Sequence, residues 1–457
     1  MAQIANSNFD VVIIGGGVKG SAIARDAVGR GLRVLLCEQG DLGSSCVKSL
    51  ARLGLEAFQA PKVCSQKEAR EAEQEWDILR RISPHLTKAR ANHQPHHGIK
   101  AILGRFRISQ TAPLTLDVPL QTILSEHRFV MLNLRDAAER GAVILPRTQF
   151  QSAERRANRW FVSIRTGSDQ IAEMLTSKIL VDTTSGRSLP SGLLVGNAVS
   201  DAVISGNLAI VKTLQDDPKP VLEDSEGIRF FSVPLEAGCQ LIGQLREGSE
   251  AGKLADLIDQ AKRLCDGALD LENLLWQGQT MIPNSGLAEN PTQSFDDFHI
   301  HIQTDEGRLP LFQVTGETVS AARRLAEETV AEMAPFANMI GKQWTSTTTL
   351  PGGDFQPDLR NTLVAQLRAD FPFLSARNVE RLFDTYGTDC SQLLGDAKTE
   401  ADLGQRFGEE LYAAEVRWLV ENEWARTAGD IVWRRTRLGQ RMTVQQIKML
   451  DLWLASN

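Results

Sequence analysis

Phe9-Asp10-Val11-Val12-Ile13-Ile14-Gly15-Gly16-Gly17-Val18-Lys19-Gly20 is the stretch whose reading decides the fold of this chain. An apolar strand runs directly into Gly15-x-Gly17-x-x-Gly20. A helix pattern follows from Ser21 to Arg30, Gly31 ends it, and Arg33-Val34-Leu35-Leu36-Cys37-Glu38 reads as a second strand closed by an acid. In such a unit the first glycine allows the tight turn and the second lets backbone approach a pyrophosphate. The third lets the helix pack closely on the strand. The amides and dipole at the helix N-terminus then hold phosphate charge. A glycine pattern alone is weak, but here strand, turn, helix, second strand and acid stand in register. Gly15, Gly17, Gly20 and Glu38 are therefore the candidate dinucleotide-binding residues. The Glu38 carboxylate can accept hydrogen bonds from an adenosine ribose, and its charge disfavours the 2′-phosphate of NADP.

The bulk properties bound the rest. A chain of 457 residues and 50.3 kDa is long enough for two or three domains with a substantial core. The net charge of −7 and pI near 5.7 argue against nucleic-acid partners. Six cysteines form no Cys-x-x-Cys pair, which speaks against zinc or iron–sulfur ligation. Met1 to Asp10 has no signal-peptide pattern, so reduced thiols in a cytoplasmic protein are expected. No apolar run is long enough to span a bilayer, so any membrane contact would be peripheral.

Along the chain, Ser65 to Ile82 reads as a polar helix and Phe129 to Arg140 as an amphipathic one. Strands are expected at Gly141–Leu145, Arg159–Ile164 and Lys178–Val181, and at Phe298–Ile302, where polar and apolar residues alternate. Phe230 to Gly243 reads as a hairpin of a separate substrate-side sheet. Thr347 to Gly353 reads as a linker, and from Asp358 onward the pattern is helical with no strand candidate. Strands separated by helices after a glycine-rich first turn imply an α/β sheet.

The C-terminal third resembles the FAD-dependent (aerobic, respiratory) glycerol-3-phosphate dehydrogenases. The resemblance rests on Leu350-Pro-Gly-Gly353, Phe371-Pro-Phe-Leu374, Thr385-Tyr-Gly387, Leu393-Leu-Gly395, Asp402-Leu-Gly404 and Phe407-Gly408. Trp418-Leu-Val-Glu-Asn-Glu-Trp424 and Val432-Trp-Arg-Arg-Thr436 extend it, and Ala27-Val-Gly-Arg-Gly-Leu32 and Arg324-Leu-Ala-Glu327 carry it to the N-terminal part. It implies an α/β chain, α+β overall. A Rossmann-like FAD-binding domain would be joined to a substrate-side antiparallel sheet and an all-helical C-terminal domain. The expected boundaries are 1–346 for the oxidoreductase domain, with FAD-binding parts near 1–60, 128–205 and 295–346. Cap parts would lie near 61–127 and 206–294, and the helical domain at 347–457. The resemblance further implies FAD as cofactor, with Gly316 beside it, and oxidation of glycerol 3-phosphate to dihydroxyacetone phosphate with electrons passed to quinone. That chemistry needs a hydride acceptor, a base for the C2 hydroxyl and cations for the phosphate. A peripheral membrane position and a homo-oligomer belong to the same expectation.

This sequence departs from the family where that chemistry belongs. The family's Lys-Leu-Ile-His-Gly-Gly-Leu-Arg-Tyr run is replaced within Asp41–Glu56, where Arg52 is the surviving candidate cation. Asn-Ala-Thr-Gly has become Asp182-Thr183-Thr184-Ser185, and Lys-Gly-Ser-His has become Ser205-Gly206-Asn207-Leu208. Gly-Thr-Thr-Asp reads Gly243-Gln244-Leu245-Arg246. The arginine of Gly-Val-Arg-Pro falls at Met281-Ile282-Pro283. Gly-Gly-Lys-Leu-Thr-Thr-Tyr-Arg corresponds to Gly316–Arg323, which loses its lysine and gains Glu317. Loss of one transition-state donor costs about 3 kcal/mol. Three readings follow: a working dehydrogenase with unusual residues (Arg52, Arg246 and Arg323 being its candidate cations), a flavoenzyme for a less anionic substrate, and a non-catalytic FAD-binding member.

Other features have plainer expectations. His93-x-x-His96-His97 reads as a surface loop, and His299 with His301 as structural residues sharing one strand face. Trp418 and Trp424 are expected in a helical core. Arg434-Arg435-Thr436-Arg437 beside Trp433 suits either anionic lipid headgroups or a solvated helix face.

Overall fold

β1 (Asn8–Ile14) enters α1 (Val18–Gly29) through the glycine turn, and β2 (Val34–Cys37) returns parallel to β1, with Val11 beside Val34 and Ile14 beside Cys37. The structure is a computed structural model that describes residues 7–44, 66–89, 121–123, 126–167, 173–184, 203–213, 222–223, 228–234, 239–247, 252–264, 269–283, 298–305, 308–315, 321–338 and 341–457. The next elements are α2 (Gln66–Ile82), β3 (Thr87–Ala89), β4 (Gln121–Ile123), α3 (Glu126–Glu139), β5 (Val143–Leu145), β6 (Thr148–Arg156), β7 (Arg159–Thr166) and β8 (Glu173–Asp182). A second group comprises β9 (Val203–Thr213), β10 (Leu222–Glu223), β11 (Arg229–Pro234), β12 (Cys239–Glu247), α4 (Leu254–Leu264) and β13 (Leu269–Pro283). The chain then returns through β14 (His299–Asp305), β15 (Arg308–Thr315) and α5 (Ala322–Glu332).

The first sheet runs β14-β15-β8-β1-β2-β5. β8 is long enough to be shared. Its first half pairs antiparallel with β7, from the β6–β7 hairpin, and its second half pairs parallel with β15. β1 is apolar on both faces because both are covered. Val11 and Ile13 join the core under α1, α3 and α5, while Phe9, Val12 and Ile14 join the core under β6–β7. Each such side chain contributes about 1.5–3 kcal/mol on full burial. The second sheet, β10-β11-β12-β9-β13, is antiparallel, and α4 covers one of its faces. It includes the expected Phe230–Gly243 hairpin, paired from Arg229 beside Leu245 to Pro234 beside Gln240. The α/β architecture anticipated from the glycine turn is the one observed.

After α5 come α6 (Arg360–Asp370), α7 (Ala376–Tyr386), α8 (Cys390–Leu394), β16 (Arg406–Gly408), β17 (Leu411–Tyr412), α9 (Ala413–Glu423), a π-helical turn at Asp430–Arg435, and α10 (Val444–Ser456). The expectation of a strand-free C-terminal part is corrected by the β16–β17 hairpin. Its turn places Glu409 and Glu410 at positive φ and sends Phe407 and Leu411 into the core. Strands this short leave no alternation to read. Trp418 packs in the C-terminal core as expected, whereas Trp424, the C-cap of α9, lies partly buried against the core of the first sheet and its helices, which corrects the expectation for that residue.

Two other sequence readings are corrected. Thr347–Gly353 is no free linker: Leu350 is buried and its N–H donates to Ile82 O at 2.7 Å, and Arg25 donates to Thr348 O at 2.9 Å. Arg25 also pairs with Asp136 of α3 at 2.6 Å. Arg434 and Arg435 do not form an outward-facing charged helix face, although the Arg434 side chain keeps 23% exposure. They turn inward onto Asp41, and the Arg435 side chain is 0% exposed. A buried carboxylate remote in sequence is invisible to a reading of local charge.

One buried group makes stability depend on pH. His85, just after α2, is fully enclosed, and neither ring nitrogen has a hydrogen-bond partner among the described residues. Burial first, and then the charges of Arg128 and Arg135, push its pKa down to about 3. Between about pH 6.5 and about 3 the unfolded chain binds a proton that the folded chain refuses. Stability therefore rises with pH across that window, by about 1.4 kcal/mol per unit. His85→Leu is expected to lose about 2 kcal/mol less than the parent between pH 7 and pH 5. Urea unfolding at the two pH values checks this; equal losses in both proteins would contradict it.

Candidate functional site

The glycine turn is built by close approach. Gly15 has φ +108°, and a Cβ there would sit 2.6 Å from Thr183 Oγ1 at the end of β8. Thr183 Oγ1 donates to Ile14 O at 2.9 Å, which ties β8 to the turn. A Cβ on Gly20 would meet Gly15 O at 1.9 Å, so α1 can lie this near β1 only with glycine at that position. Gly17 is the N-cap of α1, and no side chain caps it. The first amides of the helix are thus left for a ligand anion.

Glu38 stands where the pattern placed it, at the end of β2. Its Oε2 accepts from the Gly16 N–H and its Oε1 from the Gly40 N–H, each at 2.8 Å. The carboxylate is therefore oriented by backbone on both sides of the turn, with its remaining lone pairs available to ribose hydroxyls. The next loop closes over it: Gly43 N–H donates to Gly16 O at 3.0 Å, and Leu42 is fully buried. Local pattern gives Asp41 and Leu42 no role, and Thr183 stands in the sequence only as part of a departure from a family motif. Only the tertiary neighbours of Gly16 and Gly15 reveal them. These features fit the ADP half of FAD: a crowded turn, an uncapped helix end and an oriented acid. Gly316, Glu317, Arg52 and His93–His97 lie outside the described residues.

The substituted positions of the second sheet can be placed by register. Leu208 lies opposite Gly243, Leu245 opposite Gly206, and Ile282 opposite Ile204, so the three occupy equivalent positions of one face. Leu208 and Leu245 are both fully buried. Cys239 shares that face at the β12 end, with its Sγ 3.3 Å from Gln440 O of the C-terminal domain. The other face carries the polar row Ser205, Asn207, Gln244 and Arg246. Gln244 donates to Gln260 of α4 at 3.0 Å, and Gln279 donates to Asn207 at 3.2 Å. Arg246 belongs to this α4 side: a Cβ on Gly252, just before α4, would sit 2.6 Å from its Nη2. Its Nε is buried with no hydrogen-bond partner among the described residues.

Arg323 is also engaged elsewhere. Its guanidinium forks onto Glu75 of α2, with Nε 2.7 Å from Oε1 and Nη2 2.5 Å from Oε2, and its Nη1 meets Glu327 at 2.7 Å. All three side chains are nearly buried. Burial alone would lower its pKa, but the two carboxylates raise it, so it is a permanent structural cation. The expectation that Arg323 could serve a substrate phosphate is thereby corrected. His299 and His301 are exposed on the edge strand β14, and the described residues contain no cluster of metal-ligating side chains. Among the described residues, no helix is long and apolar enough to cross a membrane.

Comparison with known proteins settles the family. Residues 10–292 match the family described as FAD dependent oxidoreductase, and residues 343–451 match the C-terminal domain of alpha-glycerophosphate oxidase. The chain belongs to the FAD-dependent glycerol-3-phosphate dehydrogenase family. It is 26% identical to the aerobic glycerol-3-phosphate dehydrogenase of Escherichia coli (strain K12), covering 97% of each chain. It is 28% identical to the glycerol-3-phosphate dehydrogenase of Pseudomonas aeruginosa, covering 98% of this chain and 95% of that one. A further relative, also 28% identical with 94% of each chain covered, is the D-erythritol 1-phosphate dehydrogenase of Brucella abortus. The fold matches the Bacillus halodurans glycerol-3-phosphate dehydrogenase complexed with FAD, with TM-score 0.67, 19% identity and coverage of 99% and 91%. FAD is the cofactor of this family, and the glycine turn has the geometry to receive it.

Proposed function

We propose that this chain binds FAD through Gly15, Gly17, Gly20 and Glu38, with Gly316 at the flavin side. We further propose that oxidation of glycerol 3-phosphate by the family's usual residues is weakened or lost. The observation that carries the second part is the shared register face of Leu208, Leu245 and Ile282. At these places the family motifs have histidine, threonine and arginine, and here each is aliphatic. Bound FAD would supply the hydride acceptor. The chain must still remove the C2 hydroxyl proton and hold a phosphate dianion. Leucine and isoleucine do neither, and a phosphate desolvated beside them would lack charge-assisted partners. Each missing donor is worth about 3 kcal/mol, and the losses do not simply add. Arg323, spent on Glu75 and Glu327, does not compensate. The candidate cation left to this reading is Arg52.

The same apolar face favours a second reading, a flavoenzyme for a less anionic substrate. The two part company in one experiment. The protein is loaded with FAD and mixed anaerobically with glycerol 3-phosphate while flavin absorbance is followed. The expected result is a stable flavin band, with reduction at least about a thousandfold slower than in a family member retaining the histidine and arginine. Rapid bleaching at ordinary substrate concentration would refute the loss of activity. Bleaching by a neutral polyol but not by glycerol 3-phosphate would select the second reading.

A further inference from the structure

The C-terminal domain reaches the nucleotide turn through a run of buried charge. Asp41 follows Glu38 by three residues and opens the loop that closes over Gly16. Its carboxylate is held by Arg434 Nε at 2.5 Å and by Arg435 Nη1 and Nη2 at 2.6 and 2.9 Å, with Arg147 Nη1 at 3.8 Å. Arg434 also pairs with Asp430 one turn earlier, and Arg147, in the turn between β5 and β6, meets the same Asp430 at 2.6 Å. Arg435 Nη2 donates to Glu423 O at 2.8 Å, and the Glu423 carboxylate takes Arg128 of α3 at 2.5 Å. The π-helical turn Asp430–Arg435 aims two successive arginines at a single aspartate. Asp430 stays charged: burial works against it, but the Arg426 and Thr427 amides and then Arg147 and Arg434 bring its pKa down to about 2.

The loop so held is the one that shapes the cofactor turn. Besides the Gly43–Gly16 and Gly40–Glu38 hydrogen bonds, Arg147 N–H donates to Gly40 O at 2.9 Å and Thr148 N–H to Glu38 O at 2.7 Å. A Cβ on Gly16 would fall 2.9 Å from Leu42 Cδ2, so the Leu42 side chain is part of the wall of the turn.

We propose that the helical C-terminal domain is a clamp on the cofactor: Arg434 and Arg435 hold Asp41, Asp41 fixes the Gly40–Gly43 loop, and that loop sets Gly16 and Glu38 for FAD. Asp41, Arg434 and Arg435 are positioning residues in this scheme. Buried ion pairs of this kind are made or broken as a unit, because a lone buried charge is strongly unfavourable. In this scheme the loop is ordered when these charges are paired and released when they are not. FAD and the docked domain both favour the ordered one, which couples them reciprocally. The proposal rests on FAD binding at the glycine turn.

The experiment measures FAD affinity by quenching of flavin fluorescence in the full chain, together with amide hydrogen exchange over residues 424–440. Asp41→Asn and Arg435→Met are expected to raise the FAD Kd at least about tenfold while thermal unfolding of the apo protein stays cooperative. In the parent, FAD should slow exchange at 424–440, and in both variants that response should vanish. Arg434→Met, which leaves the Arg435–Asp41 fork in place, serves where Arg435→Met does not accumulate as folded protein. Glu415→Gln is the control. It disturbs the Arg381–Glu415–Tyr386 set inside the C-terminal domain without touching the nucleotide loop. An equal loss of FAD affinity in Glu415→Gln, or parental affinity in folded Asp41→Asn and Arg434→Met, overturns the clamp. A parent protein that takes up no FAD overturns the cofactor reading itself.

Discussion

Gly20→Ala is expected to weaken FAD binding by at least about a hundredfold, which is close to 3 kcal/mol. The added Cβ would lie 1.9 Å from Gly15 O, a clash between two backbones with no flexible side chain to yield. α1 must then retreat from β1, and its uncapped first amides retreat with it. Those amides and Glu38 lie on opposite sides of the same turn, so a shift of the helix separates two halves of one binding site. Flavin fluorescence titration measures the loss, and thermal unfolding of the apo protein reports whether the sheet survives. Parental affinity in a folded Gly20→Ala protein would contradict both the turn geometry and the cofactor assignment. A variant that loses its fold altogether would show the close approach to be structural first, and Glu38→Gln then tests ribose binding with no steric change.

Arg323→Met is expected to destabilise the protein by about 3–5 kcal/mol, because it leaves Glu75 and Glu327 buried without their cation. Removing a carboxylate together with the arginine should recover part of that loss. Arg323→Met with Glu75→Leu is therefore expected to be more stable than Arg323→Met alone. Urea denaturation of the three proteins measures the coupling. The pair also decides what Arg323 is for. Loss of a structural cation lowers stability and leaves the FAD Kd of the folded protein nearly unchanged. Loss of a cation serving substrate would lower turnover at parental stability, and that outcome would contradict the assignment made from Glu75 and Glu327.

Legibility in the sequence followed the range of the interaction. The strand–turn–helix unit was readable because each part is local: alternate glycines, an apolar run and an acid at a fixed distance. β8 is longer than its pattern suggests, since Glu173–Ser177 carries polar residues on a strand that its neighbours β7 and β1 stabilise by pairing. The tether at Leu350 has the loop composition of a linker in Pro351-Gly352-Gly353, whereas its order comes from Ile82 and Arg25, far away in sequence. Arg434 and Arg435 look like surface charges in the sequence for the same reason. Their partner Asp41 is 393 and 394 positions away.

By itself, then, the sequence determined the dinucleotide fold, the strand–turn–helix unit with Gly15, Gly17, Gly20 and Glu38, and the family. These follow from local sterics and from motifs a few residues long. Only the tertiary structure decided that Leu208, Leu245 and Ile282 hold equivalent register positions of one sheet, that Arg323 belongs to Glu75 and Glu327, and that two C-terminal arginines grip the loop beside Glu38. Strand register and buried charge pairing are long-range choices. They are made by which surfaces lose water together, and no local pattern along the chain encodes that.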